Sequence, residues 1–153
     1  MPVKPDVARR IIAHTARTES GGKFDAWNPD DTGAGISFGL IQFNQAGGRK
    51  VGEQGSPLAA LFKQMQKDAP AQFATSFGPY AANMLKVDWV KRADLNQADF
   101  KSRLRAAAAL PIFQQSQLEQ ARLGYWVPAE EVAAKYGLKG ERAHAMLFDT
   151  SVQ

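Results

Sequence analysis

Glu19-Ser20-Gly21-Gly22, followed after a polar insert by Gly33-Ala34-Gly35-Ile36-Ser37-Phe38-Gly39-Leu40-Ile41-Gln42-Phe43, is the stretch that decides the fold. Before it, Pro5 and Asp6 suit a helix start. Val7, Ile11, Ile12 and Thr15 then recur on one side at helical spacing, which predicts a helix over roughly 5–18. Glu19 stands at its C-terminal end, and Ser20-Gly21-Gly22 stops it. Asn28-Pro29-Asp30-Asp31-Thr32-Gly33 is turn chemistry. The run from Ile36 to Phe43 alternates only weakly, which fits a short strand leading into a helix or a tight buried turn. One small β-hairpin between residues 24 and 38 is the only sheet expected.

The same stretch carries the candidate chemistry. A glutamate at a helix C-terminus meets the negative end of the helix dipole, and partial burial also disfavours its charge. Both effects help a carboxylic acid keep its proton, as a general acid must. Position alone nevertheless favours a solvated helix-end glutamate. Asp30 and Asp31 offer a second carboxylate if the chain turns back at Gly21-Gly22, and Asp25 is a weaker third. Asp31 is preferred, because Pro29 makes Asp30 a turn initiator, and Asp31 with Thr32 can hold a water. Ser37, Gln42 and Asn44 interleave with Phe38, Leu40, Ile41 and Phe43, so they read as half-buried polar groups needing partners, a sugar among them. Trp27, in the polar loop, is read as a sugar-stacking residue, whereas Trp89, Trp126, Tyr80 and Tyr125 fall in helical stripes and read as core.

Outward from there the chain is helical. Ser56-Pro57 caps a helix ending before Pro70. Apolar spacing then continues to Leu85, with a break at Gly78-Pro79. Asp94 or Asn96 caps a helix broken at Pro111, Ile112 to Tyr125 forms another, and Val127-Pro128 begins a short one that Gly137 ends. The last helix follows Gly140-Glu141. It reads as helix to Val152 with no stop signal, so residues 1–153 are taken as one domain, expected to be excised from a longer chain.

The 153 residues can bury a core without crosslinks, and the absence of cysteine removes thiolate catalysis and cysteine metal sites. His14 and His144 have no companions at metal-ligand spacing, so no metal is expected. Gly33, Gly35 and Gly39 form no phosphate loop, and no cofactor is called for. The formal charge of +4 suits an anionic partner. Lys and Arg are dispersed, apart from the short Gly47-Gly48-Arg49-Lys50 loop, which argues against nucleic acid. No run is long enough to insert in a membrane, and no signal peptide is visible at the N-terminus.

Glu19-Ser20 and Gly39-Leu40-Ile41-Gln42 resemble the two matching pieces of lytic transglycosylases, and Gly39 to Phe43 resembles the corresponding segment of bacterial chitosanases. The end, Ala145 to Gln153, resembles a late helix of phage and bacterial wall hydrolases. The stretch is thus similar to the lysozyme-like superfamily. That resemblance implies a mainly α, lysozyme-like helical domain with Glu19 as catalytic acid. It places Thr32 where the chitosanase pattern has its second carboxylate, with Asp31 and Asp30 just before. It makes Asp149 a structural hydrogen-bond acceptor near the active-site helix. The function it implies is muramidase cleavage of the β-1,4 glycan of peptidoglycan. The alternatives are a chitosanase, a lytic transglycosylase, or a non-catalytic wall-binding module of a phage tail or secretion apparatus. The expected partner is peptidoglycan or a related β-1,4-linked amino-sugar polymer, met outside the cell or in the periplasm.

Overall fold

The computed structural model describes residues 4–46 and 55–153. The Gly47-Gly48-Arg49-Lys50 loop and residues 1–3 lie outside the described residues. Helix α1 (Pro5–Ser20) opens on Pro5 at its first position and buries Val7, Ile11, Ile12, Thr15 and Ala16 along one stripe. Gly21 ends it in the left-handed region at φ 67°. The amides of Gly21 and Gly22 bond the carbonyls of Arg17 and Ala16 at 3.1 and 3.0 Å, satisfying two helix-end carbonyls. Glu19 is therefore in the final turn of α1, two residues before the Gly21 cap.

The sheet has three antiparallel strands in the order β1 (Trp27–Asn28), β2 (Ser37–Phe38) and β3 (Phe43–Asn44). The expected hairpin is present and a third strand is added to it. The run from Ile36 to Phe43 takes the tight-turn form, since the chain reverses between Phe38 and Phe43 and no helix follows β2. Register sorts the sheet into two faces. Trp27, Phe38 and Phe43 stand opposite one another in one row, and Asn28, Ser37 and Asn44 form the other.

The helical body comprises α2 (Pro57–Asp68), α3 (Pro70–Phe77), α4 (Ala81–Met84), α5 (Val87–Val90), α6 (Ala98–Ala108), α7 (Pro111–Ala121), α8 (Val127–Lys135) and α9 (Glu141–Val152). Ser56 caps α2 as its sequence foretells, its Oγ accepting from the Ala59 amide at 3.1 Å. Gly78–Tyr80 forms a 3-10 turn at the expected break. Neither Asp94 nor Asn96 caps α6, whose N-cap is Gln97 without a side-chain bond. Asp94 instead pairs with Arg92, whose Nε reaches it at 2.8 Å. A π-helical stretch, Arg122–Trp126, joins α7 directly to α8.

The core is built on phenylalanine. Phe62 of α2, Phe73 and Phe77 of α3, Phe100 of α6 and Phe113 of α7 interlock with ring centroids 4.9–6.4 Å apart. All five are at most 2% exposed, and each contributes about 1.5–3 kcal/mol by leaving water. The apolar row of the sheet closes onto this body, with the Phe43 ring 6.3 Å from that of Tyr125.

Candidate active site

Glu19, Asp31, Thr32, Ile41, Gln42, Asn44, Val152 and Gln153, with Ala34, line a cleft of about 420 Å³ where α1, the sheet and the end of α9 meet. Glu19 is half-buried there. Burial raises its carboxyl above the ordinary value, and the negative charges of Asp149 and Asp31 push it the same way. A proton is thus retained on Glu19 to higher pH than on a solvated glutamate.

Asp31 is set by its own loop. Its amide donates to the Gly35 carbonyl at 2.8 Å, and its carbonyl accepts from the Ala34 amide at 2.7 Å. Gly33 and Gly35 supply the left-handed φ values, 82° and 81°, that so tight a loop requires. The Ser37 hydroxyl donates to Asp31 Oδ2 from the polar row of β2. Ser37 is wholly buried. Its link to the cleft is the bond to Asp31.

Backbone strain gathers at the same place. Among the described residues, only Thr32 and Gln42 are non-glycine residues at positive φ, 39° and 54°, and both line the cleft. Such conformations cost about 1–3 kcal/mol each and persist where the surroundings enforce them, commonly at functional sites. Among the described residues, those lining the cleft include no lysine, arginine or histidine, although the chain as a whole is net positive. No group of three or more metal-binding side chains occurs among the described residues, and no described helix is long and apolar enough to cross a membrane.

No family model matches the sequence, and no curated protein sequence matches it. Solved structures match in shape. The native chitosanase of Bacillus subtilis MY002 superposes on 99% of this chain with a TM-score of 0.76 at 21% identity. A glutamate-to-alanine variant of that chitosanase, complexed with 6 GlcN, gives 0.75 at 18%. The GH46 chitosanase of Gynuella sunshinyii, in complex with chitotetraose, gives 0.72 at 19%. The chain has the lysozyme-like fold of these chitosanases. It spans 60% of the length of each of them.

Within this chitosanase fold the residues singled out from sequence divide into two sets. Glu19, Asp31, Thr32, Gln42 and Asn44 come together around one cleft. Asp30, Trp27 and Ser37 are not among its lining residues. Asp30 is exposed, and its amide donates to Asn28 Oδ1 at 3.2 Å in an Asx turn, so Asn28 is the side chain occupied by the turn. Trp27 belongs to the apolar row, edge-on to Phe38 at 6.3 Å, with the Lys101 ammonium 5.2 Å from its ring centre. Strand parity turns it inward, away from the stacking role its loop position suggested. Gln42 also bonds locally, its Nε2 donating to the Gly39 carbonyl at 3.1 Å.

Three contributors lie far away in sequence. Val152 and Gln153 close the cleft from α9. Asp149, one turn before them, accepts from Thr15 Oγ1 at 3.4 Å and from Gln153 Nε2 at 3.4 Å, and also borders a groove between α1 and α9. Its anionic charge acts on Glu19. Asp149→Asn removes that charge, which stabilises the Glu19 anion and lowers the pKa of Glu19. The Glu19 carboxyl accordingly titrates at lower pH in the variant. Carbon-detected NMR titration of the variant checks the sign, and a shift to higher pH contradicts it.

Proposed function

We propose that this chain is a glycoside hydrolase that cleaves β-1,4 bonds in a glucosamine polymer of the chitosan type. The observation that carries this reading is the cleft itself. A carboxyl group with a raised pKa faces a wall holding a second carboxylate, and no cationic side chain among the described residues lines the space. An amino-sugar polymer bearing ammonium groups is attracted to such a cleft, whereas an anionic wall polymer is repelled by it. The net charge of +4 favours peptidoglycan only at long range, where salt screens it within about 8–10 Å. Two of the structurally similar chitosanases are complexed with glucosamine oligomers, 6 GlcN and chitotetraose.

In this reading Glu19 gives its proton to the glycosidic oxygen as the bond from that oxygen to C1 breaks. A water held between Asp31 and Thr32 attacks C1 from the opposite face and passes a proton to Asp31. Separated in this way, the two carboxyl groups perform inverting hydrolysis. Ser37 orients Asp31 for the task, and the enforced backbone of Thr32 aims its hydroxyl.

Reducing-end release from chitosan and from purified peptidoglycan, measured side by side, tests the substrate class. Release from chitosan is expected; release from peptidoglycan alone overturns the assignment in favour of a muramidase. Single alanine substitutions test the second group. Asp31→Ala is expected to lower kcat by about 10²-fold or more, the size of a general-base contribution. Asp30→Ala is expected to leave it unchanged, because Asp30 does not line the cleft. A loss at Asp30 with Asp31→Ala unaffected transfers the role.

A further inference from the structure

Gln117 of α7 is wholly buried and does not line the cleft. Its Oε1 accepts from the Leu40 amide at 2.8 Å, and its Nε2 donates to the Phe24 carbonyl at 2.9 Å. Phe24 lies on the chain leaving the Glu19 helix. The Leu40 carbonyl in turn accepts from Ser20 Oγ at 2.6 Å. Leu40 is thereby gripped on its amide by the helical body and on its carbonyl by the residue beside Glu19. The next two residues, Ile41 and Gln42, are the cleft wall. Gly39 leaves room for the clamp, since a Cβ there would stand 2.4 Å from Gln117 Oε1.

We propose that Gln117 is a positioning residue for the Glu19 site. It ties both the exit of the catalytic helix and the turn preceding Ile41 to α7, and so fixes the gap between Glu19 and the opposite wall. An apolar side chain of similar size would fill the space equally well, but it would leave the buried Leu40 amide and Phe24 carbonyl without their partner. A wall displaced by about 1 Å can cost about 10²-fold in rate. It also admits water to the Glu19 carboxyl, whose burial the wall supplies.

The proposal rests on the glycosidase reading for its kinetic arm only, and a second arm is independent of turnover. Gln117→Met removes both bonds at similar volume. Gln117→Glu in its protonated form restores them. Ser20→Ala releases the other grip on Leu40 and serves if Gln117→Met does not fold. On a glucosamine hexamer, at a temperature where the proteins are folded, Gln117→Met is expected to lose about tenfold or more in kcat. KM should stay within about threefold, and Gln117→Glu should recover activity as the pH falls. Carbon-detected NMR titration is expected to show the Glu19 carboxyl titrating at lower pH in Gln117→Met and in Ser20→Ala than in the wild type. If no amino-sugar polymer is cleaved by the wild type, the functional reading fails and the titration still decides the clamp. A variant that melts earlier while keeping wild-type kcat and Glu19 titration shows a merely structural glutamine and overturns the proposal. So does an unchanged Glu19 titration in Ser20→Ala when Gln117→Met does not fold.

Discussion

Glu19→Gln is expected to lower turnover of a glucosamine polymer by about 10²–10⁴-fold, the contribution of a positioned general acid. The amide keeps the shape of the carboxyl and has no acid proton to give, so oligomer affinity should change little. Stability supplies a control with a definite sign. Folding raises the Glu19 pKa, so the anion is the form that the folded state disfavours. Stability from this group is therefore fully present below the unfolded pKa and declines as pH rises through the folded pKa. A neutral glutamine escapes that decline, and the variant should melt no earlier than the wild type at neutral pH. Calorimetry beside a reducing-end assay separates a lost proton donor from a lost fold. A variant that is folded and turns over at the wild-type rate removes Glu19 from the chemistry.

Gly39→Val is expected to produce the largest stability loss. Gly39 sits at φ 86°, in the region that favours glycine, and a Cβ there would stand 2.4 Å from Gln117 Oε1. The left-handed backbone costs a branched residue about 1–2 kcal/mol, and overpacking adds about 1–3 kcal/mol. The Gln117 amide must also give up its bond to Leu40 or push the turn into the cleft. The expected outcome is a fall in Tm on the order of 10 °C, with activity lost in the fraction that stays folded. Unchanged melting and turnover would remove this turn from the account of the site.

Much of this arrangement is legible locally. The caps of α1 and α2, the break at Gly78-Pro79 and the placement of Glu19 at a helix end follow from proline, glycine and serine chemistry acting over four residues. Two-residue strands are too short to set a period, so β3 carries no pattern of its own and forms because β2 offers it an edge. Trp27 shows the same limit. Whether it faces sugar or core depends on pairing opposite Phe38, and a shift of one residue reverses the answer.

The remaining features are long-range. Val152 and Gln153 line the cleft, and Asp149 acts on Glu19 by its charge, because α9 packs beside α1; the resemblance pointed to Asp149 near that helix, but nothing around residue 19 announces the other two. Gln117 is an ordinary helical glutamine until the turn at Gly39 is folded against it. The sign of the cleft is likewise hidden by the whole-chain balance. Lysine and arginine outnumber the acids over the chain, yet the described residues lining the cleft include carboxylates and no cation. Partner class read from net charge pointed to an anionic wall; the local field of the described cleft residues is the ground for proposing a cationic polymer instead.

The most direct measurement is mass analysis of a glucosamine hexamer cleaved by the wild-type protein in water enriched in oxygen-18. Hydrolysis assisted by Glu19 and an Asp31-held water predicts shorter oligomers whose new reducing end carries the heavy oxygen, formed about 10²-fold or more slowly by Glu19→Gln. Unlabelled anhydro-sugar products, or a hexamer left intact under conditions where the protein is folded, would contradict the account.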